Sequence, residues 1–278
     1  GASISEINSV RKHISGVKGG QLAKAIFPAI TISLILSDVV GDNVEVIASG
    51  PTAPDNTTYS DALEVIKKYN LEDFFPTNLK NHIQKGRSGL IPENPEQDDP
   101  IFRRVQNKII GNNLMALEGA SEKATALGFN ARIITHRLEG DYTNVAEYIL
   151  NSINARLKEN NRKPHCLLFG GEPTVKLTGS GRGGRNQHLA LYLATKITGT
   201  ENITILCAGT DGTDGSTDAV GAIIDGNTIN KAKIKGISPN PFLSEFNSYN
   251  FFSQTGDLIK TGNTGTNVMD LVIVLCRA

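Results

Sequence analysis

Apolar and polar residues follow one another in blocks whose period changes along the chain, and those changes mark the elements. Residues 4–29 have mixed polarity interrupted by Lys18-Gly19-Gly20, which predicts a helix, a glycine break and a second helix. Thr31 to Ser37 is rich in β-formers and apolar on both faces. It reads as a buried strand that runs out into Asp38-Val39-Val40-Gly41-Asp42. Ser60 is expected to cap a helix carrying Leu63, Ile66 and Tyr69 at helical spacing. From Gly86 to Pro100 no apolar period survives among Gly89, Pro92, Pro95 and Pro100, so a linker or an exposed crossing loop is expected. Beyond it the pattern predicts strands at 105–110, 130–135, 166–169, 174–177, 203–207, 222–225 and 270–276, with helices at 115–127, 144–158 and 186–197. Strands alternating with helices imply an α/β protein: two α/β/α domains with mostly parallel sheets, divided into residues 1–100 and 101–278.

Composition narrows the function classes. Twenty-eight Lys and Arg balance 28 Asp and Glu over 278 residues, so no polybasic footprint for nucleic acid is present. The longest apolar stretch, 29–36, is broken by Thr31 and Ser33 and falls far short of the roughly 20 residues a membrane helix needs. Cys166, Cys207 and Cys276 each sit inside an apolar β-like run and read as small buried hydrophobes, which fits a reducing cytoplasm. The start Gly-Ala-Ser-Ile has no initiator Met and no signal peptide, so removal of something upstream is expected.

In α/β sheets, ligands sit in loops beyond the carboxyl ends of strands. Four such loops carry chemistry here. Asp38 and Asp42, with Ser49-Gly50-Pro51-Thr52 close behind, suit a divalent cation or the orientation of a hydroxyl, or simply cap turns. Gly170-Gly171-Glu172 offers backbone amides and a carboxylate. Gly179 to Gly184 formally matches G-x-G-x-x-G, yet Arg182 and Arg185 stand where a dinucleotide fingerprint has small or apolar residues. Guanidinium groups there suit phosphate oxygens, helped by the following helix N-terminus. Asp211, Asp214 and Asp218 lie on a glycine-flexed loop that is not an EF-hand and reads either as a cation site or as a solvated turn. A fifth loop, 261–267, adds Thr264 and Asn267. No Walker loop, zinc motif or nucleophile elbow is present. Of the five histidines, His188 alone lies near a glycine loop, and it reads as a packing or solvent-facing residue.

Asn8 to Ser15, Lys18-Gly-Gly20, Ser37 to Asp42, Ser49 to Thr52, Gly170 to Thr174, Gly181 to Gln187, Gly209 to Gly215 and Thr264 to Asn267 together resemble, in order, the class II glycerate 2-kinases, whose C-terminal end is a MOFRL domain. The resemblance implies ATP-dependent, Mg²⁺-assisted phosphorylation of D-glycerate at its 2-hydroxyl in a cleft between two α/β domains. The first of these would be the remainder of a Rossmann-like domain. It implies Arg185 as charge stabiliser, with Asp38 and Lys18 also catalytic. Asp42, Ser49, Gly50, Gly171, Glu172, Gly181, Arg182, Gly183, Gly184, Asn186, Asp211, Thr264 and Asn267 would contact substrate or nucleotide, and Asp211 and Asp214 would hold the metal. The partners implied are D-glycerate and a nucleotide, with no nucleic acid and no membrane, in a chain compatible with a homodimer. Members of the family are longer at the front, so the first domain is expected to be incomplete and the polypeptide alone to have little or no kinase activity. Two other readings remain at this stage: an NAD(P)H-dependent hydroxypyruvate reductase, a name some relatives carry, and a non-catalytic ligand-binding fragment.

Overall fold

The computed structural model describes residues 1–159, 163–176 and 179–277. Its elements in chain order are α1 (Ile4–His13), α2 (Gln21–Ile26), β1 (Thr31–Leu36), α3 (Tyr59–Lys68), α4 (Thr77–Arg87), β2 (Val105–Gly111), α5 (Asn113–Ala126), β3 (Asn130–Asp141), α6 (Tyr142–Leu157), β4 (His165–Thr174), α7 (Arg185–Lys196), β5 (Ile203–Gly209), β6 (Gly221–Asp225), α8 (Thr228–Ile234), α9 (Pro239–Ser244), α10 (Ser248–Thr255), β7 (Leu258–Ile259) and β8 (Asp270–Cys276). The chain divides into two compact units. The first comprises 1–35 and 42–110, the second 36–41 and 111–278.

In the first unit, α1 and α3 start with reciprocal capping boxes, Ser3 with Glu6 and Thr58 with Asp61, which satisfy the first free amides of each helix. The cap of α3 is thus Thr58, two residues before the expected Ser60. Tyr59, Ala62, Ile66 and Ile83 form the core between α1, α3 and α4. The Pro-rich stretch after α4 has no regular element, yet it is anchored. Asn94 is buried and donates to Asp55 Oδ2 at 2.8 Å, while Glu93 accepts from the Tyr59 amide. β1 lies where expected but is not a buried strand. Ile32 and Leu34 are 61% and 65% exposed, whereas Ser33 turns inward and donates to Thr52 Oγ1 at 3.0 Å. Among the described residues β1 pairs with β2 alone in a two-stranded sheet, and its Ile32/Leu34 face is exposed.

The second unit is a three-layer α/β/α sandwich built on a six-stranded sheet of order β3-β4-β8-β5-β6-β7. Period-two alternation fills both faces. Leu167 and Phe169 of β4 and Val272, Val274 and Cys276 of β8 join the core under α6 and α7. Cys166, Leu168, Leu271, Ile273 and Leu275 face the other way onto Leu117 and Ala124 of α5. The three cysteines are free and buried.

The α/β class is as expected, and the strand pairing is mixed. β3 and β4 are parallel, but β8 inserts between β4 and β5 antiparallel to both, and β5–β6 and β6–β7 are antiparallel too. The loop joining β5 to β6 contains no helix, so the chain reverses directly instead of crossing over. The Gly170 to Thr174 segment, expected as a loop, is the second half of β4, paired with β3 on one side and, through Gly171, with β8 on the other. The expected strand at 174–177 therefore reduces to the end of β4, and Leu177 lies outside the described residues.

Candidate active site

Strand register assembles the centre of the site. Gly171 of β4 and Gly209 of β5 both pair with Asp270, the first residue of β8, so one carboxylate stands between two residues without side chains at the end of the sheet. Asn113, at the start of α5, fixes this strand end by donating to the carbonyls of Val268 and Asp270 at 2.9 and 3.0 Å.

Arg185 opens α7 and reaches this carboxylate as a fork. Nε donates to Asp270 Oδ2 at 2.5 Å and Nη2 to Oδ1 at 3.1 Å, while Nη1 donates to Glu172 Oε1 at 2.6 Å. Such bidentate pairing fixes the plane of the guanidinium. The arginine side chain remains 36% exposed although Asp270 is buried. Burial lifts the Asp270 carboxyl above its ordinary range against the opposing pull of Arg185. Burial works to lower the Arg185 pKa, and the bonds and charges of Asp270 and Glu172 outweigh it, so the guanidinium stays charged.

The helix end behind Arg185 is closed by a residue from another loop. The N-cap is Gly184, which has no side chain to offer. Asp214 takes its place, with Oδ2 accepting the Gln187 amide at 2.8 Å and Oδ1 accepting the Asn186 amide at 3.1 Å. A Cβ on Gly184 would stand 2.2 Å from Asp214 Cγ, so only glycine allows the approach. Asp214 is buried, which raises its pKa to about 6 even though the two amides pull it down.

This arrangement bears on two expectations. Asp214 is buried and its carboxylate already accepts both α7 amides and the Asn186 side chain, which counts against its use as a metal ligand. The α7 amides that would have met a phosphate already hold a carboxylate. The same fact counts against the G-x-G-x-x-G run as a dinucleotide site, since a pyrophosphate needs that helix end free. Asn186 is drawn into the same network, buried with its side-chain nitrogen 3.3 Å from Asp214 Oδ1.

Asp211 is half-buried, with Oδ1 and Oδ2 accepting from the Thr213 amide and hydroxyl and its carbonyl accepting from the Thr264 amide. Thr264 joins the two last loops by donating to the Thr210 carbonyl at 2.6 Å, and Asn267 accepts from the Met269 amide. Among the described residues no group of three or more His, Cys, Asp or Glu side chains could hold a metal ion. Mg²⁺ is commonly held by one or two carboxylates plus substrate phosphates, and Asp211, with lone pairs left over, fits that use. Gly181, Arg182 and Gly183 run along the start of α10. Arg182 is exposed, with its amide on Asn247.

The remaining expected residues are placed separately. Asp38 is exposed in the 36–41 segment of the second unit, and no hydrogen bond or ion pair among the described residues joins it to Arg185. Lys18, Asp42, Ser49 and Gly50 belong to the first unit. There the Gly19 and Gly20 amides donate to the Ser49 and Gly50 carbonyls, Lys18 Nζ donates to Ala48 O at 2.8 Å, and Ser49 Oγ donates to Asn8. Asp270 and Asn113 escaped sequence reading. A carboxylate at the head of an apolar strand was the signal for the first, whereas the second is recognisable only from the fold.

The chain matches the MOFRL family model over residues 165–270 and a domain of unknown function, DUF4147, over residues 1–84. It is 44% identical to the D-glycerate 2-kinase of Thermotoga maritima and 45% identical to the glycerate 2-kinase of Pyrococcus horikoshii. In each case 99% of this chain aligns, to 63% and 62% of the relative. A glycerate kinase of Macaca fascicularis is 37% identical, with all of this chain aligned to 80% of it. The crystal structure of the Thermotoga maritima glycerate kinase superposes with a TM-score of 0.85, covering all of this chain and 64% of that one. The chain thus spans less than two thirds of the length of the two prokaryotic relatives.

Proposed function

The chain belongs to the glycerate kinase family, and on that premise we propose that the protein carrying it transfers the γ-phosphoryl group of ATP to the 2-hydroxyl of D-glycerate, giving 2-phosphoglycerate and ADP. The observation that carries the proposal is the Arg185 fork. A guanidinium held by Asp270 and Glu172 and still partly open to solvent suits the stabilisation of charge on a transferring phosphoryl group. Because its plane is already fixed, little reorganisation is needed as that charge develops.

The other roles follow the resemblance. Asp38 orients the attacking hydroxyl and takes its proton. Lys18 supplies a cation from the first unit, where the Lys18-Gly19-Gly20 and Ser49-Gly50 backbones are joined. Mg²⁺, when bound, would neutralise charge shared between the phosphates, and Asp211 is the carboxylate proposed to hold it. The protein works on small molecules in the cytoplasm. The family likeness and the occupied α7 terminus both favour a kinase over a reductase.

The test is a pair of spectrophotometric assays: ADP release with ATP, Mg²⁺ and D-glycerate, and NADH or NADPH oxidation with hydroxypyruvate. Release of ADP only when D-glycerate is present supports the proposal. Hydroxypyruvate-dependent oxidation without ADP release rejects it.

A further inference from the structure

Among the described residues, the cations next to the α7 loop differ in their partners. Arg185 is met by Asp270 and Glu172, and Lys260 is met by Asp218 at 2.8 Å. Arg182 forms no ion pair among the described residues. Its guanidinium instead lies over the Tyr249 ring, 4.2 Å from the centroid. The ring is itself fixed. Tyr249 is buried, its hydroxyl donates to Asp218 Oδ1 at 2.7 Å, and Lys260 Nζ lies 3.3 Å from the same hydroxyl.

The backbone beneath Arg182 is clamped to the start of α10. The Arg182 amide donates to Asn247 Oδ1 at 3.1 Å, the Tyr249 amide donates to the Arg182 carbonyl at 3.0 Å, and the Gly181 amide donates to the Glu245 carbonyl at 2.8 Å. A Cβ on Gly181 would stand 2.3 Å from that carbonyl, so the close approach depends on glycine. An exposed arginine normally samples many rotamers. This one is seated from below by an aromatic face, and among the described residues its guanidinium makes no hydrogen bond.

We infer that Arg182, seated on Tyr249, takes an anionic oxygen of a substrate, and that Tyr249 is its positioning residue. The inference rests on the phosphoryl-transfer reading for the identity of that substrate, whose anionic oxygens are a polyphosphate or a carboxylate. Prior seating leaves less side-chain freedom to lose on binding, so the ring strengthens an interaction it does not itself make. Asp218 and Lys260 hold the ring in place. Neither Tyr249 nor Lys260 lies in a glycine loop, which is why motif reading passes over them.

The experiment is calorimetric titration of the whole chain with inorganic tripolyphosphate and, separately, with D-glycerate, on the wild type, Arg182→Gln, Tyr249→Phe, Tyr249→Leu and the Arg182→Gln/Tyr249→Leu double variant. Arg182→Gln is expected to weaken one probe about tenfold or more, and the affected probe identifies the oxygen as phosphate or carboxylate. Tyr249→Leu should weaken the same probe about tenfold, and Tyr249→Phe, which keeps the ring, no more than about threefold. The double variant should bind no worse than Arg182→Gln alone, a pattern that a general loss of packing does not produce. Wild-type binding of neither probe, undiminished binding by Arg182→Gln, or an equal Tyr249→Leu effect with and without Arg182 overturns the inference. Arg182 lies on the surface, so its variant reads out even where Tyr249→Leu folds poorly. Probe binding that depends on Arg182, without any D-glycerate-dependent ADP release by the full-length protein that carries the chain, supports the anion site and rejects the kinase reading alone.

Discussion

Replacing Asp270 by Asn keeps the shape of the side chain and removes the charge that holds Arg185. In the wild type this carboxylate accepts two charge-assisted bonds from the guanidinium, at 2.5 and 3.1 Å. Breaking a fully buried pair costs about 3–5 kcal/mol. Arg185 is more than a third exposed, so water compensates part of that loss. The amide oxygen retains one acceptor, and removing the charge also relieves the burial that raises the Asp270 pKa. A net loss of about 1–2 kcal/mol is therefore expected. For a chain of this size that lowers Tm by about 2–8 °C. The effect on turnover should be larger than the effect on folding. A guanidinium no longer fixed by its fork loses pre-organisation, and removing a comparable transition-state donor lowers kcat by about 10²-fold or more. Thermal unfolding followed by circular dichroism, together with steady-state ADP release, measures both. An Asp270→Asn protein with wild-type kcat would show that Arg185 needs no such support, and the reasoning about the fork would fail.

Asp214, raised to about 6 by burial against the pull of the two α7 amides, binds its proton more tightly folded than unfolded. Its contribution to stability is present at low pH and is lost as pH rises from about 4 to 6. The stability deficit of Asp214→Asn relative to wild type should accordingly shrink by about 2 kcal/mol between pH 4 and 7, measured by urea unfolding, and a deficit that widens contradicts the burial argument. His188 is lowered to about 4 by burial against the opposing charge of Asp141. Its stabilising effect is complete above the ordinary histidine pKa and is lost as pH falls toward 4. The ring should stay neutral at pH 5.5 by NMR, and a midpoint near 6.5 refutes this. Burial pushes the Cys166 and Cys276 thiols up to about 11 and raises Cys207 further. A thiol reagent at pH 8 should modify none of the three in the folded chain and all of them in denaturant; rapid native labelling would contradict the packing.

The sheet was readable from sequence wherever one strand buries alternate residues on two faces. β4, β5 and β8 are short runs of Val, Ile, Leu and Cys, and each was located within a few residues. Strand pairing was not readable, because whether β8 inserts between β4 and β5 depends on how a long loop returns, and local periodicity carries no record of that. α8, α9 and α10 were missed for a related reason: each is short, and its packing against α7 or its neighbours outweighs a weak intrinsic pattern. β1 shows the opposite limit, since its apolar residues predict burial and the fold leaves Ile32 and Leu34 exposed. At the site, Arg185 and Glu172 were legible as charged residues beside glycines, and they do come together. The capping role of Asp214 was hidden, because a cap supplied from another loop has no spacing signature. Asp270 completes the fork from a position 85 residues away from Arg185.

The central claim is that the guanidinium of Arg185, held in its carboxylate fork, stabilises phosphoryl transfer to D-glycerate. The most direct measurement is kcat for D-glycerate-dependent ADP formation by the wild type and by Arg185→Lys, with both proteins shown to bind D-glycerate. Lysine keeps the charge and loses the planar fork, so kcat should fall about 10²-fold or more while D-glycerate affinity changes far less. Equal kcat in the two proteins, or a full-length wild type that binds D-glycerate and ATP yet forms no ADP, would contradict the account.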